Sequence, residues 1–232
     1  MSALSLEQPV TDDRSLAARL ENWLGLAIEI PAAALVVGEV VVLLAGVIMR
    51  FIFNNPIPWA DELASILFLW LANLGAAVAL RRGTHMRTTV LVGFMSERGK
   101  AWAEALAIIA PCVMLLILMH PMWEYAEDEM FVQTPALGWP NTVRAAAVSV
   151  GAALMIALSL LRISRQKLVD LAGVVVLLAV VAGAMYLGAG WLQAIGNWNL
   201  VVFFGVVLGV SVLLGIPIAF CFGLATVAFM LT

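Results

Sequence analysis

The stretch from Leu80 to Lys100, LRRGTHMRTTVLVGFMSERGK, decides the fold. It carries five of the chain's twelve Lys and Arg residues, Arg81, Arg82, Arg87, Arg98 and Lys100, between two apolar runs. The next polar gap, Trp123 to Pro140, reads WEYAEDEMFVQTPALGWP and holds Glu124, Glu127, Asp128 and Glu129 with no Lys or Arg. The gap after it is basic again, at Arg162, Arg165 and Lys167. Cytoplasmic loops of membrane proteins retain Lys and Arg, so the alternation predicts an all-α, polytopic protein of the inner membrane.

Composition agrees. Hydrophobic residues make up 64% of the chain and charged ones 12%, with a mean hydropathy of +1.06, far from the balance of a water-soluble domain. The net charge of -3 is small, and the basic residues form no long run, which argues against nucleic-acid binding. Cys112 and Cys221 fall inside apolar stretches, where a small buried thiol is the usual role and a disulfide framework is not. The polar N-terminus lacks the pattern of a cleaved signal peptide. The first hydrophobic helix is therefore expected to remain as an anchor.

A spanning helix needs about 20 mostly apolar residues, and six stretches come close: 31–50, 60–80, 101–121, 142–161, 169–190 and 199–229. Gly215, Ile216 and Pro217 interrupt the last. It reads as a sixth span ending near Leu214, a turn, and the start of another apolar segment. Leu16, Leu20, Trp23, Leu24, Ala27 and Ile28 share a helical face between Asp12 and Glu29, the pattern of an amphipathic helix in the membrane interface. Met86, Val90, Leu91, Phe94 and Met95 suggest a second surface helix with Thr84 as its cap. Packing of either helix on the protein itself is the alternative to lipid contact.

The charge rule places the N-terminus in the cytoplasm, because Arg14 and Arg19 precede the first span. Phe51–Pro58, the acidic gap and Trp191–Asn197 are then periplasmic. Trp59, Trp123, Trp139, Trp191 and Trp198 all fall at that side, as an aromatic belt would.

Enzymatic machinery is scarce. His85 and His120 lie at opposite sides of the expected membrane, so they cannot ligate one haem, and there is no phosphate loop of the Walker type. No cofactor or metal is called for. Glu39, about eight residues into the first span, is the clearest ionisable group at depth, where a charge is costly. It fits either an ion path or a hydrogen bond between helices; with no second buried carboxylate and no buried Lys or Arg in the other spans, the hydrogen bond is preferred. Asp61 and Glu62 open the second span after Pro58 and Trp59, where the helix dipole favours acids. Arg50 closes the first span and is positioned to pair with one of them. Ala60, Ala64, Ala72, Gly75, Ala76 and Ala79 make the second helix a close-packing one, and Asn73 is available to bridge helices. The acids Glu124 to Glu129 fit a cation or basic docking surface, or simply a solvated face.

The order Met49-Arg50-Phe51-Ile52-Phe53, Pro58-Trp59-Ala60-Asp61-Glu62-Leu63, Gly75-Ala76-Ala77 and Arg82-Gly83-Thr84-His85-Met86 resembles the small membrane subunit of tripartite ATP-independent periplasmic (TRAP) transporters. Thr134-Pro135-Ala136-Leu137-Gly138-Trp139-Pro140 is similar to that family's lead into its fourth helix. The resemblance covers approximately residues 22–165. Leu213 to Phe220 looks like the start of the family's large permease subunit.

The implied organisation is a cytoplasmic N-terminus with an interfacial helix over 1–30, a four-helix small-subunit domain over 31–165, a linker transmembrane helix over 166–198, and the beginning of a large-permease-like segment over 199–232. The implied function is scaffolding in a secondary transporter that imports an organic acid on an ion gradient, such as sodium. The implied partners are a large permease subunit, a periplasmic substrate-binding protein and membrane lipid. In that family the substrate and ion sites lie in the large subunit, so Arg50, Trp59, Asp61 and Glu62 are expected to support assembly. The competing readings are a membrane anchor subunit of a respiratory enzyme, which would need haem-ligating His at membrane depth, and a complete small transporter acting alone.

Overall fold

The computed structural model describes residues 16–82, 90–164, 166, 168–194 and 196–230. Among them the chain is a helical membrane protein with five helices long and apolar enough to cross a bilayer. These are α1 (Leu16–Phe51), α2 (Ala60–Arg82), α4 (Glu97–Asp128), α5 (Thr142–Ile163) and α6 (Leu168–Ala194), with one helical turn, α3 (Val90–Gly93), ahead of α4. In hydrocarbon no water can satisfy a backbone amide, and the helix is the element that meets the demand within one segment.

Four of these elements pack side by side in the spatial order α1, α2, α5, α4. α1 lies along α2, α2 along α5, and α4 along α5, while α6 lies on the outer side of α4. The core runs through Ile28, Leu74, Ala77, Ala105, Leu106, Ala110, Leu115, Ala152 and Leu158. Small residues set the close approaches. A methyl group at Gly151 of α5 would stand 2.6 Å from Cβ of Asn73 on α2. One at Gly173 of α6 would stand 2.5 Å from the Trp102 ring of α4. Without a hydrophobic drive between helices in lipid, such contacts and a few hydrogen bonds carry association. Thr142 and Ser149 of α5 donate through Oγ1 and Oγ to the Ala126 and Met122 carbonyls of α4, each at 2.9 Å. Trp70 Nε1 of α2 donates to the Val143 carbonyl, also at 2.9 Å.

Three boundaries differ from the sequence reading. The amphipathic stretch ending at Glu29 is not a separate interfacial helix. From Leu16 it is continuous with the first span, in a helix of 36 residues, about 54 Å long. Pro31 does not break it, and Ile28 and Ala32 are buried on either side of that proline. The second interfacial helix is represented by α3 alone; Thr84, His85, Met86 and Arg87 lie outside the described residues. Ser96 caps the next helix instead, accepting a 3.3 Å hydrogen bond from the Gly99 amide. Arg98, Lys100 and the acids Glu124, Glu127 and Asp128 therefore lie on α4 itself and not in loops.

The expected sixth span is also shorter than foreseen. The helix Trp198–Leu213 falls short of the ~20 residues a crossing needs, and it contains a π-helical stretch over Val202–Val207. At Gly215 the backbone takes φ 84°, a conformation open to glycine. The chain then turns through Pro217 into the helix Ile218–Met230. The two helices fold back on each other, with the Phe203 and Phe229 rings edge to face at 5.7 Å. Ile216, Phe220 and Cys221 join the core of the long helices, and Gly223 admits Met114 of α4. This is a hairpin, the reason being the glycine–proline break.

Gly151→Val is expected to lower the melting temperature of the detergent-solubilised protein by an overpacking penalty of about 1–3 kcal/mol. Gly183→Val, on an open face of α6, is expected to leave it unchanged. Equal melting temperatures would show that the Asn73–Gly151 contact does not limit packing.

Candidate functional site

Arg50 ends α1 and Asp61 begins α2, and the short turn between them brings both to one end of the hairpin. Asn54 closes that turn at φ 50°, which lets the Asn55 amide return to the Met49 carbonyl at 2.9 Å. Arg50 Nη2 then donates to Asp61 Oδ2 at 3.0 Å, with both side chains more than half exposed.

Glu62, the neighbouring acid, does something different. Its carboxylate accepts from two successive backbone amides, Ala136 at 2.7 Å and Leu137 at 3.3 Å. Those amides are presented by a compact loop between α4 and α5. Gln133 and Pro140 bridge, Thr134 N donates to Trp139 O at 2.8 Å, and Gly138 turns at φ 66°. Thr134 Oγ1 accepts from Trp139 N at 3.1 Å. Two acids in sequence thus serve two neighbours: Asp61 faces α1 and Glu62 clasps the loop leading into α5. Trp59 stands beside them, 42% exposed, and its carbonyl accepts the first helical hydrogen bond from Leu63 at 2.9 Å.

At the other end of the hairpin lies a polar cluster that sequence reasoning missed. Glu29 Oε1 takes Arg81 Nη1 at 3.0 Å and Arg82 Nη2 at 3.1 Å. Arg81 Nη2 also donates to Asn22 Oδ1 at 3.1 Å. The guanidinium of Arg81 crosses directly over Gly25, where any side chain would collide with it. Arg162 of α5 donates to the Arg81 carbonyl and stands 3.8 Å from Glu21. The signal was present as Glu21, Asn22, Gly25 and Glu29 at helical spacing, but it is visible only once α1 is known to run unbroken through Pro31.

Two residues behave otherwise than their sequence reading. Asn73 does not bridge helices: its Nδ2 donates to the Leu69 carbonyl of its own helix at 2.8 Å, and it acts by filling the notch at Gly151. Glu39 is half-buried, and among the described residues it makes no hydrogen bond or ion pair, so the expected inter-helix bond is not formed there. The acidic run is partly spent locally. Trp123 Nε1 donates to Glu127 at 2.7 Å, Asn141 donates to Glu129, and His120 Nδ1 lies 3.3 Å from Glu124. Among the described residues no group of His, Cys, Asp and Glu could hold a metal ion.

The described residues form a helical membrane unit whose first hairpin is tied by ion pairs at both ends, which is the class of a multi-pass membrane protein. Residues 39–167 match the family model for tripartite ATP-independent periplasmic transporters, DctQ component, and the chain belongs to that family. It is 25% identical over 122 residues to a TRAP transporter small permease protein of Haemophilus influenzae, covering 53% of this chain and 76% of that one. It is 30% identical over 81 residues to the C4-dicarboxylate TRAP transporter small permease protein DctQ of Vibrio cholerae, covering 35% of each. It is also 28% identical over 102 residues to the sialic acid TRAP transporter permease protein SiaT of Haemophilus influenzae, covering 44% of this chain but only 15% of that protein.

Arg81→Ala is expected to destabilise the protein by about 1–3 kcal/mol, the scale for losing charged, partly buried hydrogen bonds. Arg82→Ala, at a more exposed member of the same cluster, should cost under about 1 kcal/mol. Thermal melts in one detergent compare the two. Glu62→Ala is expected to speed hydrogen exchange at the Ala136 and Leu137 amides, whereas Asp61→Ala leaves those amides protected. Mass spectrometry of exchanged peptides separates the two acids.

Proposed function

We propose that this chain is the small, scaffolding membrane component of a TRAP-type secondary transporter that imports an organic acid on an ion gradient. It works with a large permease subunit and a periplasmic substrate-binding protein in the bacterial inner membrane. The family match over residues 39–167 carries this reading. The geometry supports it: the ionic ties and the Glu62 clasp hold α1, α2 and α5 and the loop between α4 and α5 in one arrangement, which is what a brace for a moving partner requires. In this reading the Arg-rich end faces the cytoplasm and the acidic end, with Trp59, Trp123 and Trp139, faces the periplasm. Residues 166–198 then serve as a linker segment, and 199–232 resemble the beginning of a large permease.

The test is co-expression of the tagged chain with a large permease of a TRAP transporter from the same source. The two are expected to co-purify, and uptake into liposomes supplied with the binding protein is expected to need both. Asp61→Ala combined with Glu62→Ala should reduce complex recovery and uptake together. Uptake by the permease and binding protein at the same rate without this chain would overturn the scaffolding role.

A further inference from the structure

Two ionic ties mark the depth of α1. Glu29, paired with Arg81 and Arg82, and Arg50, paired with Asp61, lie twenty-one residues apart on one helix, about 32 Å along its axis. That distance matches the ~30 Å hydrocarbon core of a bilayer. Glu39 lies ten residues from the first tie and eleven from the second, at the midplane. Within the chain its carboxylate has no partner among the described residues. The flank beside it is apolar and open: Val36, Val40, Leu43 and Val47 recur at helical spacing and are 45%, 58%, 44% and 53% exposed.

An acid at this depth is costly unless it is paired or neutral, and intramembrane ionisable residues face protein or water. An apolar flank interrupted by one acceptor suits a helix that is itself apolar with one donor, because the hydrogen bond fixes the register that apolar contacts leave open. The relative SiaT, of which the match covers only 15%, holds the corresponding segment within a far longer permease chain, so a large membrane partner belongs beside this unit. We propose that Glu39 accepts a hydrogen bond from a Lys, Arg or amide side chain on a membrane helix of the large permease, and that this helix lies along the Val36 to Val47 flank of α1. The inference rests on the transporter-component reading above and specifies the contact.

The test uses the chain co-expressed with the large permease. Glu39→Leu is expected to weaken retention of the large permease on the tagged chain about fivefold, while Glu39→Gln keeps most of it. The melting temperature of the chain purified alone should be unchanged or higher for Glu39→Leu, since no hydrogen bond or ion pair among the described residues is lost. A photo-crosslinking residue in place of Val40 should capture the large permease. Full retention with Glu39→Leu, a fall in the chain's own melting temperature, or cross-links only to a second copy of this chain or to lipid would each overturn the proposal. Failure of the unaltered chain to retain the large permease would instead overturn the transporter-component reading itself.

Discussion

The hairpin of α1 and α2 is held by charge at both ends and by apolar contact between, and the rest of the molecule is arranged around it. Each ion pair sits where α1 leaves the expected hydrocarbon, so water is near enough to lower the cost of keeping both partners charged. The pairs differ in weight. Arg50 and Asp61 are largely exposed, a setting in which an ion pair contributes little beyond orientation. Arg81 and Glu29 are mostly shielded, and a third helix joins them through Arg162, so that end carries more of the stability.

From this hairpin, order passes to α5 through contacts that differ in kind. Near the acidic end it is a carboxylate on two backbone amides. At mid-depth it is the fit of Asn73 against a missing side chain at Gly151. At the basic end it is an arginine on a backbone carbonyl. The charged contacts lie at the ends, while in the middle shape and one neutral hydrogen bond, from Trp70, do the work, which is how a bilayer distributes the cost of burying polar groups.

The positions of α2 and α5 were legible because runs of apolar residues are bounded there by charges or by Pro and Asn, the signals that hydropathy reads directly. The Arg50 pairing was legible as well, because a short loop leaves the side chains little else to meet. The Glu62 clasp was not: its partners lie more than seventy residues away, and backbone amides of a loop carry no side-chain signature. The unbroken α1 was not legible, because the sequence reads as an amphipathic stretch ending at Glu29 and a span beginning at residue 31, whereas one helix runs through both. The terminal hairpin was half legible, since Gly215 and Pro217 announced the turn but not that the second helix would return along α4. Glu39 was found by its depth alone, and the bond assigned to it is not made among the described residues.

The position of Pro31 has a mechanical consequence. Proline removes the amide that would bond the carbonyl four residues earlier, so a long helix is most easily bent beside it. In α1 that place lies two residues from Glu29, where two arginines of α2 grip the helix. The softest point of the rod is thus splinted from outside. Bending α1 there requires moving α2 with it, and a load applied to the overhanging N-terminal turns is passed to the pair as a single lever.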